Sequence, residues 1–220
     1  MLDYSVTISI DPGIQGGICI IKDNDTPKLY RIPVISIKVN KKDKKVYDMV
    51  GILSIIEPYV NDKVIFVQEA VGVHLGEGSV SSFTFGKSSG LTLGLAWGKG
   101  FEVIEVSPQT WKKAFPELIT PTIVKLKSEK KKINEEIKKL SSKTLKEKEL
   151  KKQNNKQIKL LKKDIEKINR QIKTEAKSQA RRIISDRYPI LAESVKLVRD
   201  DGKAEAALIA LWCKIQYKQE

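Results

Sequence analysis

Ser5-Val6-Thr7-Ile8-Ser9-Ile10-Asp11-Pro12-Gly13 alternates strictly before it turns. Val6, Ile8 and Ile10 fall on one side of an extended chain, and Ser5, Thr7, Ser9 and Asp11 on the other. That is a strand with one face in the core, and Asp11 leaves from the opposite face. Pro12-Gly13 and Gly16-Gly17 bracket a tight turn into a second strand, Ile18–Ile21. Asp25–Pro27 turns again into a third, Lys28–Val34, so the chain opens as a short β-meander.

Working outward, Asn40–Lys45 reads as a basic, polar loop. Val46, Met49, Val50, Leu53, Ile56 and Val60 then recur at helical spacing, and Val64–Val67 is an apolar run of the buried-strand kind ending beside Glu69. Residues 72–88 read as a Gly/Ser-rich loop carrying Phe83 and Phe85. A helix through Leu91, Leu93, Leu95 and Ala96, a strand Phe101–Val106 and a short helix from Ser107-Pro108 through Trp111 to Phe115 follow. Lys203–Tyr217 is the closing helix. The order βββαβαβ plus helices predicts an α/β fold, a mixed five-stranded sheet flanked by helices, of ribonuclease-H-like type.

Four acids sit at telling points of that frame. Asp11 and Glu69 end apolar strands, and Asp201 and Glu205 open the last helix one turn apart. Converging carboxylates are hard oxygen ligands for Mg²⁺, and such sites activate water against phosphodiesters. Asp200 is equally acidic, but the four-residue spacing to Glu205 favours Asp201. Singly, each acid has an ordinary reading as a turn, a cap or a solvated strand end. Together they predict a metal-dependent nuclease using Mg²⁺, with Mn²⁺ the alternative.

The formal net charge of +14 is concentrated in one segment: residues 121–180 hold 20 Lys/Arg against 8 Asp/Glu, and the rest of the chain is nearly neutral. A field of that kind favours a polyanion, nucleic acid first; the plain alternative is a lysine-coated, solvated helix. Ile158, Leu161, Ile165, Ile168 and Ile172 repeat at coiled-coil spacing, as do Ile133, Ile137 and Leu140. Thr144-Leu145-Lys146-Glu147 has the form of a capping box that restarts a helix. A Lys-rich two-helix hairpin inserted over 122–174 is the preferred picture, with a single dimerising helix and partial disorder as alternatives. The rest, 1–121 and 175–220, is the ribonuclease-H-like domain.

Cys19 and Cys213 lie in apolar runs and read as buried small hydrophobes of a reducing compartment. His74, the lone histidine, reads as a surface residue of its Gly-rich loop. No basic leader and no run of 18 apolar residues is present, so the expectation is an intracellular, cytoplasmic chain with no membrane partner.

Ile10-Asp11-Pro12-Gly13 with Gly16-Gly17, Gln68-Glu69, Ser82-Phe83-Thr84-Phe85-Gly86-Lys87, Pro108-Gln109-Thr110-Trp111-Lys112-Lys113 and Gly202-Lys203-Ala204-Glu205-Ala206, in that order, resemble the RuvC-type Holliday-junction resolvases. The likeness is to the branch of bacteriophages and plant chloroplasts, and it covers about 1–118 and 175–217. It implies that Asp11, Glu69, Asp201 and Glu205 are the catalytic metal ligands, although some relatives carry His where Asp201 stands. It also implies a homodimer that cuts two strands of a four-way DNA junction symmetrically and needs no nucleotide cofactor. Phe83 and Phe85 would meet unstacked bases, and Lys87, Lys112 and Lys113 would contact phosphates. The Lys-rich insertion has no counterpart in that pattern. Rival readings are another ribonuclease-H-like nuclease acting on RNA–DNA hybrid or transposon ends, and a non-enzymatic DNA-binding coiled-coil protein. A sugar-kinase/actin-type ATPase would need two such domains, and only one is present.

Overall fold

The computed structural model of the chain describes residues 3–70, 72, 78–142 and 148–217. It divides into two compact units: one runs to Pro116 and resumes at Ala180, and the other is Glu117–Gln179.

In the first unit, β1 (Val6–Asp11) is the middle strand of a five-stranded sheet ordered β3-β2-β1-β6-β7. It pairs antiparallel with β2 (Gly17–Lys22) and parallel with β6 (Val64–Glu69); β3 (Lys28–Arg31) and β7 (Glu102–Val106) are the edges. This is the mixed sheet of a ribonuclease-H-like fold. Val6, Ile8 and Ile10 face a core shared with Ile18, Ile20, Val64 and Phe66, together with Ile52 and Ile56 of α1 (Met49–Ile56) and Leu93 and Ala96 of α2 (Ser79–Gly98). On the other face, Ser9 Oγ donates to Ala206 O (2.6 Å) of α6 (Asp201–Gln216), which lies across β1 and β2. Ala204, Ala206, Ala207 and Ala210 let that helix approach closely, and all four are fully buried. Cys19 and Cys213 are free and buried, and burial pushes the Cys213 thiol up to about 12, so neither is a reactive thiolate.

Three local expectations are corrected. The third strand stops at Arg31, and residues 34–47 form a separate hairpin, β4 (Val34–Val39) with β5 (Lys42–Tyr47), instead of a strand end and a loop. Its two-residue turn places both Asn40 (φ 51°) and Lys41 (φ 64°) in the left-handed region, the geometry that matches strand twist. Lys42-Asp43-Lys44-Lys45 has no apolar alternation, so only pairing with β4 makes it a strand. Val46 belongs to β5, and α1 begins at Met49, with Asp48 Oδ1 accepting from Gly51 N–H (3.0 Å).

The third correction is α2, which starts at Ser79 and takes in much of the predicted Gly/Ser loop. Glycine and serine are poor helix formers, so tertiary contacts must supply the difference. Gln68 does so from β6: its Nε2 donates to Ser89 Oγ (2.6 Å), and its Oε1 accepts from Thr92 Oγ1 (2.5 Å). Phe83 and Phe85 therefore ride on a helix.

In the second unit, α4 (Pro121–Ser142) and the part of α5 (Lys148–Arg187) before Ala180 run antiparallel. Lys130 bonds Asn169 (2.8 Å), Gln157 bonds Glu136 (3.2 Å), and the nearly buried Asn154 donates to Leu140 O (3.4 Å). Ile168 is buried, while Ile133, Ile137, Leu140, Ile158, Leu161, Ile165 and Ile172 are half-shielded. The predicted capping box at 144–147 and His74 lie outside the described residues. No helix among the described residues is long and apolar enough to cross a membrane.

Candidate active site

β1 and β6 are parallel neighbours in a register pairing Ile10 with Gln68, so Asp11 and Glu69 end the two strands side by side. Adjacent strands lie about 4.8 Å apart. Side chains alternate along each strand. Asp11 therefore shares the face of Ser9, which bonds α6, and Glu69 lies opposite Gln68, which turns to α2. Both acids leave the sheet on the α6 side.

Two glycines set where α6 begins. A Cβ on Gly202 would stand 2.4 Å from Gln15 O, and one on Gly17 would stand 2.4 Å from Gly202 O. With hydrogen in those places, Gly16 and Gly202 form a parallel bridge, and the first turn of α6 lies against the turn that follows Asp11. Asp201 and Glu205, one helical turn apart, therefore belong to a helix that starts against the turn after Asp11. All four acids are half-buried.

Glu69, Asp201 and Glu205 each have a neighbouring donor. Trp111 is fully buried on α3 (Pro108–Lys112), and its Nε1 donates to Glu69 Oε2 (2.7 Å). Ser107 Oγ caps that short helix at Thr110 N–H (3.1 Å), and Phe115 meets the Trp111 ring edge-on with centroids 6.4 Å apart. Lys112 Nζ lies 4.8 Å from the Trp111 ring centroid and 3.4 Å from Glu205 Oε1. Arg181 donates from Nη1 to Asp201 Oδ1. Two of the four acids, Asp201 and Glu205, thus have cationic neighbours.

Asp200 belongs to a different arrangement. It is buried, accepts from Arg31 Nη2 (2.6 Å) and Leu197 N–H (3.1 Å), and lies 3.1 Å from Lys203 Nζ. Burial by itself would raise its carboxyl pKa, but the bonds from Arg31, Lys203 and Leu197 outweigh it and hold the pKa below the usual value. Asp200 ties β3 to the start of α6.

Tyr47 accepts the Gly13 N–H (2.5 Å) at the turn after Asp11. Burial first, and then the Asp11 charge, push its phenol up to about 12, so it stays neutral in the working range. Phe85 flanks the same turn: its Cε2 lies 3.9 Å from where a Gly13 Cβ would stand. Phe83 is 73% exposed one step away, and Lys87 and Lys113 are exposed. Lys112 sits at the edge of the acid cluster, where a phosphate could reach it only next to Glu205. Arg181 and Tyr47 carried no periodic or motif signal of their own, and nothing in the sequence linked Trp111 to Glu69 or Asp200 to Arg31.

By donor chemistry the four carboxylates suit a hard divalent cation, and Arg181 and Lys112 already lie against Asp201 and Glu205. Among the described residues, no group of three or more His, Cys, Asp or Glu side chains is already disposed as a metal-holding set.

The chain matches no protein-family profile and no curated protein. Among solved structures it is similar to Thermus thermophilus RuvC in complex with a Holliday junction substrate, at 14% identity and a TM-score of 0.35, over 51% of this chain and 71% of that one. It is also similar to a further Thermus thermophilus RuvC structure, at 17% identity and a TM-score of 0.31, over 50% of this chain and 68% of that one.

Proposed function

We propose that this chain is a divalent-metal-dependent DNA endonuclease that resolves four-way junctions by paired hydrolysis. The observation that supports the reading is that Asp11 and Glu69 end neighbouring parallel strands, and that α6, which opens with Asp201 and Glu205, starts against the turn after Asp11. Those four acids would hold Mg²⁺, or Mn²⁺. Bound ions of this kind supply Lewis-acid activation of water and stabilise the leaving oxygen. The hydrolysis adds water oxygen to phosphorus and breaks the P–O3′ bond, leaving 5′-phosphate and 3′-hydroxyl ends.

The chain's own residues do the positioning. Trp111 fixes the rotamer of Glu69 through its N–H. Tyr47 and Phe85 brace the turn behind Asp11. Phe83 offers an exposed ring to unstacked bases, and Lys87 and Lys113 offer ammonium groups to the backbone. A homodimer is part of the proposal, because a two-fold protein matches a two-fold junction. In its favour, α2 leaves Gly86, Gly90, Gly94 and Gly98 exposed at four-residue spacing, with open space where each Cβ would stand.

The test is cleavage of a synthetic four-way junction with Mg²⁺, against matched linear duplex and RNA–DNA hybrid. Symmetric cuts in the junction alone are expected. Preference for the hybrid would make the chain another ribonuclease-H-like nuclease, and tight binding without any cutting would make it a DNA-binding protein.

The two adjacent aspartates should separate cleanly. Asp201→Asn is expected to lose most cutting with little change in stability. Asp200→Asn removes the charge that Arg31 and Lys203 satisfy, costing about 2 kcal/mol, or roughly 4–8 °C in Tm for a chain this size. Because the folded pKa of Asp200 is depressed, its contribution is full above the unfolded value near 4 and fades as pH falls through the folded one. The Tm gap between Asp200→Asn and wild type should therefore close in acid. Scanning calorimetry at neutral and acid pH checks this, and a stable Asp200→Asn protein with no activity would move the metal ligand by one residue.

A further inference from the structure

The β4–β5 hairpin is unexplained by the four acids, by the motifs and by the basic insertion. Its strands are six residues each, about 20 Å at 3.3 Å per residue. Lys38, Lys41, Lys42, Lys44 and Lys45 are all exposed, with Asp43 the one acid among residues 38–45. The register puts Ile35 beside Val46, Ile37 beside Lys44 and Val39 beside Lys42 on one face. On that face the apolar column is itself open, at 47%, 39% and 42% for Ile35, Ile37 and Val39.

The ribbon is fastened next to the acids. Tyr47, its last residue, is buried and accepts the Gly13 N–H, two residues beyond Asp11. Asp48 N–H donates to Pro33 O (2.9 Å) and closes the base. Further along, Lys44 Nζ reaches Thr84 Oγ1 (3.4 Å) on α2, beside the exposed Phe83. Any group gripped by this ribbon is therefore held at a set distance from Asp11.

We propose that the β4–β5 hairpin is a second nucleic-acid contact, lying along a duplex arm next to the cutting site with Lys42 and Lys44 on phosphates. This rests on the reading of the chain as a DNA nuclease and adds the element that holds the arm. Charge selects the occupant. On the face of Ile35, Ile37 and Val39 the charged side chains are Lys42 and Lys44, with no acid between them, so that face repels its own copy and attracts a polyanion. Shape agrees, since a two-stranded β-ribbon fits the major groove, where an apolar column can meet thymine methyls. The ordinary alternative is that the lysines only protect an exposed strand edge from aggregation, and that role involves no DNA.

The experiment compares wild type with Lys42→Gln/Lys44→Gln, full-length and without divalent metal, by fluorescence anisotropy on a four-way junction and on linear duplex across a salt series. The side chains are exposed, so circular dichroism and Tm should not change. The variant is expected to bind at least about ten-fold more weakly, with the slope of log K against log salt flatter by about 1.8 for two phosphates at 0.9 each. Unchanged affinity and slope on a junction that wild type binds well would overturn the hairpin inference and leave the junction reading standing. Equal wild-type affinity for duplex and junction, with the slope still flattened in the variant, would do the reverse. Ile35→Ser/Ile37→Ser is expected to stay in the wild-type oligomeric state by light scattering. If it dissociates a dimer while leaving the salt slope untouched, the face belongs to a second copy and the proposal falls.

Discussion

Asp11→Asn is expected to lower junction cutting at least a thousandfold, about 4 kcal/mol of lost transition-state stabilisation. Asp11 ends the central strand between Glu69 on the neighbouring strand and the first turn of α6, so it stands between the two other elements that carry acids. The amide has nearly the same shape, and the Gly13–Tyr47 bond behind it does not involve the carboxylate, so the fold should hold. Junction affinity should stay within a few-fold of wild type or rise, because a negative charge near phosphate has been removed. Single-turnover cleavage alongside anisotropy separates the two quantities. Cutting near the wild-type rate would end the four-acid assignment.

Deleting residues 123–172 behind a short Gly/Ser linker should have the largest effect on binding. The removed stretch lies within the second unit and carries most of the excess of 20 basic over 8 acidic residues in 121–180. If four of its lysines neutralise phosphates, the salt slope flattens by roughly 3.6 and affinity falls by more than ten-fold. Cut positions and the metal requirement should not move, because Asp11, Glu69, Asp201 and Glu205 all lie in the first unit. Light scattering on the same protein decides where a dimer is made. The apolar repeat from Ile158 to Ile172 is half-shielded or buried in a helix that hydrogen-bonds α4 of its own chain. The deletion protein is therefore expected to remain dimeric. A monomer that has lost paired cutting would assign the seam to self-association, and an unchanged salt slope in a dimer would leave the segment a solvated appendage.

What could be read along the chain was whatever local period encodes. Strict alternation in Val6–Ile10 specifies both the strand and the side from which Asp11 leaves, since a period of two admits one answer. The apolar run before Glu69, and the spacing of four between Asp201 and Glu205, carry the same kind of information. The seam of the basic segment likewise announces paired helices.

Tertiary structure decided the rest, because the deciding partners are remote in sequence. Lys42–Lys45 is a strand only because Val34–Val39 hydrogen-bonds it, and its turn uses Asn and Lys where Asn-Gly would have been the legible signal. The glycines and serines of α2 disfavour a helix that Gln68, 21 residues before Ser89, holds in place. Asp200 and Asp201 are neighbours of identical chemistry. Arg31, 169 residues before Asp200, ties it into a buried anchor, while Asp201 pairs with Arg181. The sequence by itself determined which residues could carry the chemistry and on which side of a strand or helix each lies, because local sterics set those periods. Which of them meet, and which cations and N–H donors hold them, depended on long-range packing such as the Gly17–Gly202 contact, which no local pattern encodes.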